Sequence, residues 1–184
     1  MEAPVVINRT ARLLHWVMAI LILFLLGLGV YMVELTYYDP DYKSSPDLHR
    51  SLGLVVFVLV WVRLAWRLKH PPPPPNPNHA PWEHFVAGAT HLALYGLMLV
   101  LPITGFLIST AKGHPVEVFG LFEIPAITSG KMQEEVFGSL HAWLAYGGAG
   151  LMGLHAAGAL KHHLIDKDDT LMRMIGPWGQ NRSQ

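Results

Sequence analysis

Apolar residues arrive along this chain in four long runs separated by polar, turn-forming segments. The first, 13–33, contains one strongly polar residue, His15. The second, 48–68, has an uncharged centre at 51–62 and ends with Arg63 and Arg67, whose long stems can carry their charges toward the surface. The third, 85–108, carries His91 and Pro102; a proline inside a membrane helix is tolerated where neighbours satisfy the freed carbonyl. The fourth, 136–160, carries His141 and His155, with Gly147, Gly148, Gly150 and Gly153 between them. A hydrocarbon core of about 30 Å is crossed by roughly 20 helical residues. The pattern therefore predicts an all-α integral membrane protein, a four-transmembrane-helix bundle forming one membrane domain over 1–184.

The connections fit this reading. Residues 34–47 are polar and turn-rich, and 70–81 (HPPPPPNPNHAP) predict a stiff extended connector, because proline fixes φ and lacks a backbone donor. Residues 109–135 form the longest loop, with a short surface helix expected near 132–135. In the tail, 161–184, residues 164–175 predict an amphipathic helix lying on the membrane surface. The N-terminal segment does not resemble a signal peptide: the first apolar run is too long, and no small-residue cleavage site follows it.

Composition sharpens the picture. The chain is 52% hydrophobic and 14% charged, against about 25% charged in soluble domains, which points to lipid as solvent. A net charge of +0 gives no basic face for nucleic acid. Cysteine is absent, excluding disulfides, iron–sulfur clusters and thiolate zinc sites. Lysine and arginine divide unevenly between the two sides: Arg9, Arg12, Arg63, Arg67, Lys69, Lys161, Lys167, Arg173 and Arg182 on one, Lys43, Arg50, Lys112 and Lys131 on the other. The positive-inside rule then predicts cytoplasmic N- and C-termini for a multi-pass membrane protein.

Histidine, with eleven copies, is the metal ligand left in quantity. His141 and His155 stand fourteen residues apart, which in a helix is a rise of about 21 Å and an angular offset of about 40°, so both face one way at different depths. His49 opens the second span at the level of His141. His15 enters the first span at the level of His155, and so does His91 in the third, so depth alone leaves the inner partner of His155 open. A flat group held between two imidazoles from facing helices is the arrangement of bis-histidine b-type haem. The glycines between His141 and His155 remove side chains where a porphyrin edge needs room. Haem propionates favour arginine, which makes Arg50 at the outer level and Arg63, Arg67 and Arg12 at the inner level candidate partners. No C-x-x-C-H is present, so covalent haem attachment is excluded.

Plainer readings exist for each feature. A lone intramembrane histidine is often an interhelical hydrogen-bonded contact, and small residues can simply allow close packing. Arg63 and Arg67 also serve as positive-inside anchors. His70, His79, His84 and His114 lie in or beside loops and are expected to be solvated; His162 and His163 fall where the fourth helix leaves the membrane.

Seven stretches together resemble the small bacterial cytochrome b561 family: RLLHW at 12–16, DLHRSLGL at 47–54, VRLAWRLKHPPPP at 62–74, THLALYGLMLVLPITG at 90–105, SLHAWLAYG at 139–147, GLHAAGALKHH at 153–163 and DDTLMRMIG at 168–176. The resemblance implies a four-helix protein with two haem b groups, on axial pairs His15/His155 and His49/His141. His91 matches a family histidine that is not usually axial and neighbours the inner haem or a quinone. For the superoxide oxidase type, the resemblance implies oxidation of periplasmic superoxide to O₂ at the outer haem, transfer to the inner haem and reduction of ubiquinone. His162, His91 and Lys161 are then candidates for quinone contact or proton delivery, histidine being suited to that task near neutral pH. Arg50, Lys43, Lys112 and Lys131 would draw in the superoxide anion, against Glu117, Glu123, Glu134 and Glu135 in the same loop. Two rivals remain: an electron-relay subunit between quinone and a periplasmic partner, and a haem-free membrane scaffold or small transporter.

Overall fold

The computed structural model describes residues 7–74 and 76–176; the predicted basic residue Arg182 lies outside them. The elements in order are α1 (Arg9–Val33), α2 (Ser44–Lys69), α3 (Pro81–Ser109), the strands β1 (Val116–Val118) and β2 (Phe122–Ile124), α4 (Lys131–Leu164) and α5 (Met172–Ile175). The four long helices contain the four predicted runs; α2, α3 and α4 extend past them at both ends, and α1 only at its start. Local chemistry sets their starts. Asn8 caps α1, its side chain accepting from the Thr10 amide at 2.9 Å. Pro81 opens α3, where its missing donor costs nothing, and the Glu83 carboxylate accepts from the Ala80 amide at 2.8 Å.

The bundle is apolar on its outside. Ile20, Leu23, Phe24, Phe85, Leu92 and Trp143 are exposed, while Arg12, Ser51, Thr90, Thr104 and Thr110 are buried. A water-soluble fold has the opposite arrangement. By length and composition α1, α2 and α3 are able to cross a membrane. The 34-residue α4 is longer but less apolar, because histidines and glycines dilute it. Contact between helices is extensive for α3 with α4, α1 with α2 and α2 with α3. Among the described residues α4 makes no comparable contact with α1 or α2, so gaps run along that side of α4.

Both chain ends meet at one end of the bundle. The Arg12 guanidinium donates to the Gly176 carbonyl at 3.0 Å, and Trp16 Nε1 donates to the Met174 carbonyl at 3.0 Å. At the opposite end, β1 and β2 form an antiparallel hairpin pairing Val116 with Ile124 and Val118 with Phe122. Its turn has positive φ at Phe119 (50°) and Gly120 (71°), the mirror-image turn that suits a tight hairpin. A phenylalanine there is uncommon. The position is held from outside the hairpin: the Phe119 amide donates to the buried Ser51 hydroxyl on α2 at 3.0 Å.

Three local expectations are corrected. Residues 132–135 are the first turn of α4, not a separate surface helix. The 109–135 segment contains a hairpin that its sequence did not announce. Residues 164–175 do not form one amphipathic helix: α4 ends at Leu164 and only Met172–Ile175 are helical. Asp168 explains the break, since its side chain accepts from the Thr170 amide at 2.8 Å and offers the backbone a turn in place of a helix.

Ser51→Ala leaves the Phe119 amide without its partner. Loss of one hydrogen bond of about 1 kcal/mol should raise that amide's hydrogen-exchange rate about fivefold; an unchanged rate would show that Ser51 does not hold the hairpin.

Candidate functional site

Two histidine pairs face each other across the gaps beside α4. His49, in the second turn of α2, and His141 of α4 have ring centroids 6.3 Å apart at 69° between planes. His15, in the second turn of α1, and His155 of α4 have centroids 6.1 Å apart at 63°. Each pair therefore bridges helices whose backbones do not pack closely. His91 of α3 is also drawn to this region, its ring 5.2 Å from that of His155. The structure thus brings five predicted histidines into two groups, one at the hairpin end and one at the end holding the termini.

The hairpin-end rings are held from behind. The Thr104 hydroxyl, almost fully buried, donates to the Leu101 carbonyl at 2.9 Å and so accepts from His141 Nδ1 at 2.9 Å. With Nδ1 carrying the proton, Nε2 of His141 is the nitrogen left with a lone pair. Glycines allow the close approach: a Cβ on Gly105 would lie 3.4 Å from His141 Cε1, and one on Gly29 would lie 3.3 Å from His49 Cε1. His49 Nδ1 is buried without a hydrogen-bond partner. Unsatisfied buried polar atoms of this kind are rare in a finished protein interior. Neither Thr104, Gly29 nor Gly105 was singled out by the sequence, because each acts on a histidine of another helix and carries no local signature. Among the glycines that were, Gly148 faces Leu97 of α3, so it serves helix packing, whereas Gly147, Gly150 and Gly153 border open space.

At the terminal end, Arg63 donates through Nε to the Tyr95 hydroxyl at 2.9 Å and through Nη1 to the Ala11 carbonyl at 3.0 Å. Arg67 lies over the Tyr95 ring at 5.8 Å. Arg12 is buried beside the C-terminal turn. Arg50, at the other end, is engaged with Asp47 at 2.9 Å and with the Pro46 carbonyl at 3.0 Å.

Lys161 and His162 stand apart from the paired histidines, in an ion-pair network at the C-terminal end of α4. Lys161 Nζ contacts Glu83 Oε1 and, at 2.7 Å, Asp166 Oδ2, which also meets His162 Nδ1 at 2.7 Å. Lys161 pulls the carboxyls of Glu83 and Asp166 below their usual range, and their charges raise its own pKa. The expectation that His79 is solvated is corrected here. His79 and His162 have side chains only 12% and 15% exposed, and their rings stack at 3.8 Å. The sequence did not show this because the two lie far apart along the chain.

An apolar-surfaced helical bundle with facing histidine pairs defines a membrane protein with metal-ligand side chains gathered between its helices. The family model for prokaryotic cytochrome b561 matches residues 6–177. The chain is 45% identical over 163 residues to cytochrome b561 homolog 2 of Escherichia coli, covering 88% of this chain and 87% of that protein. It is 32% identical over 164 residues to the probable superoxide oxidase CybB of Yersinia pestis, covering 88% and 91%. It is 28% identical over 172 residues to cytochrome b561 homolog 1 of Escherichia coli, covering 91% and 96%. The chain belongs to the prokaryotic cytochrome b561 family. It is a bacterial membrane protein of the electron-transfer, b-type haem class, and the resemblance drawn from its sequence is borne out.

Thr104→Val keeps the side-chain volume and removes the hydroxyl that accepts from His141 Nδ1, leaving that nitrogen only the Leu101 carbonyl. A cost of about 0.5–1.5 kcal/mol is expected, read as a lowered Tm that Thr104→Ser restores; equal Tm values for all three proteins would contradict the contact.

Proposed function

We propose that this protein is a di-haem membrane cytochrome b that oxidises superoxide on one side of the bacterial inner membrane and reduces ubiquinone on the other. The observation that carries the reading is the separation of the histidine rings across the gaps beside α4. Two imidazoles on opposite faces of one iron have ring centres about 6 Å apart, from metal–nitrogen bonds of about 2.0 Å and about 1.1 Å from nitrogen to ring centre. The observed 6.3 Å and 6.1 Å match this spacing. The 5.2 Å between His91 and His155 falls short of it, which favours His15 over His91 as the partner of His155.

His49 and His141 hold one haem in this reading, and His15 and His155 the other. Bound there, the two haems supply one-electron redox chemistry on either side of the bilayer. The protein's own groups set the conditions. Thr104 fixes the His141 tautomer with Nε2 free to ligate, a role that outer hydrogen bonds commonly take at metal-bound histidines. Gly29 and Gly105 let the rings seat against backbone. Arg50, Arg63 and Arg12 are the propionate partners; the guanidinium of Arg63 keeps N–H donors beyond its bonds to Tyr95 and Ala11.

Superoxide as donor is supported by the relative named as a probable superoxide oxidase, and ubiquinone as acceptor by what the family resemblance of the sequence implies. Quinone reduction consumes two protons. His91, beside His155, and Lys161 at the C-terminal end of α4 are the candidates to contact quinone or pass those protons. In this reading α4 is the fourth membrane crossing, and the excess of lysine and arginine at the end holding both termini makes that end cytoplasmic.

Purified protein dosed anaerobically with superoxide should show reduced b-type haem and, with ubiquinone present, should form ubiquinol. Haems that stay oxidised would remove superoxide as donor. Haem quantitation is expected to give two per chain, falling to one in His49→Ala or His141→Ala and staying at two in His91→Ala. Loss of a haem on replacing His91 would overturn the ligand assignment.

A further inference from the structure

The end of the bundle holding both termini carries a second collection of ligand-type side chains that the histidine pairs do not use. His79 comes from the connector between α2 and α3, His162 from the last turn of α4, and Asp166 and Asp168 from the turn that follows. Each offers one ligand atom, and these four atoms all lie within 4.8 Å of one another. Their nitrogen edges and carboxylates converge: His79 Nε2 lies 2.6 Å from Asp168 Oδ2, and His162 Nδ1 lies 3.8 Å from the same oxygen and 2.7 Å from Asp166 Oδ2. Exposure of the four side chains runs from 12% to 30%. A cavity of about 300 Å³ opens beside them, lined also by Asn76 and Asn78.

Charge is out of balance at this place. Glu83, Asp166 and Asp168 bring three negative charges and Lys161 one positive, leaving two negative charges that are largely withdrawn from water. One divalent cation held among these side chains would supply the missing charge.

We propose that His79, His162, Asp166 and Asp168 form a binding site for a zinc-like divalent cation that clips the α2–α3 connector to the C-terminal turn. Two imidazole nitrogens with two carboxylates suit zinc or another late first-row ion, whereas magnesium and calcium favour oxygen-only sets. Four protein ligands from three segments leave no open position, so the site is structural. His162 and Asp166 stand four residues apart across the end of α4, and Lys161 keeps its contact with Glu83 while sharing Asp166. The site does not rest on the redox reading, and its test does not use electron transfer.

The experiment uses haem-loaded, full-length protein in detergent, stripped with chelator and titrated with zinc alone, with bound metal measured after dialysis. One zinc per chain is expected, with a rise in Tm that chelator reverses and that magnesium does not reproduce. His79→Asn and Asp168→Asn should each weaken zinc binding by about tenfold or more, while His114→Ala, at the hairpin end, should not change it. Haem content of each variant reports whether it has folded. A wild-type protein that retains no zinc overturns the proposal without any variant. So does zinc retained equally by His79→Asn and Asp168→Asn, which would place the metal elsewhere.

Discussion

The structure depends on a separation: α4 stands off from α1 and α2, and what spans the gaps is a pair of imidazoles at each end. Lipid gives helices no hydrophobic reason to associate, so membrane bundles normally close up through small residues and direct packing. Here close packing is reserved for α3 against α4, α1 against α2 and α2 against α3. A bundle that keeps α4 apart from α1 and α2, with facing imidazole ring centres 6.1 Å and 6.3 Å apart across that side, suits the proposed binding of a flat group between its helices.

The two ends of the molecule are finished differently. At the hairpin end the supporting contacts are local to the histidines: a buried threonine hydroxyl, two glycines, and a hairpin tied to α2 two residues beyond His49. At the other end, arginines, Tyr95, a third histidine and the C-terminal turn crowd the approach. Under the proposed function such an asymmetry is expected, because a one-electron donor and a quinone that also takes up protons would place different demands on their sites.

Much of this was legible in the sequence because its signals are one-dimensional. Runs of about twenty apolar residues name membrane helices, and a fourteen-residue interval between His141 and His155 sets two depths on one face. What stayed hidden depends on contacts between distant segments. Thr104 matters only because His141 passes it from another helix, and Gly29 matters only because His49 does. The hairpin is short and takes its anchor from Ser51, 68 residues away. The predicted tail helix failed because Asp168 draws the chain into a turn and bonds His79, 89 residues earlier. Periodicity cannot report such partners.

The central claim is that each haem sits between two imidazoles. Near-infrared magnetic circular dichroism of the oxidised, purified protein tests it most directly, because the charge-transfer band reports the axial pair of each iron. The account predicts low-spin bis-imidazole signatures for all of the haem present. A high-spin signal, or a band from any other axial pair, would contradict it.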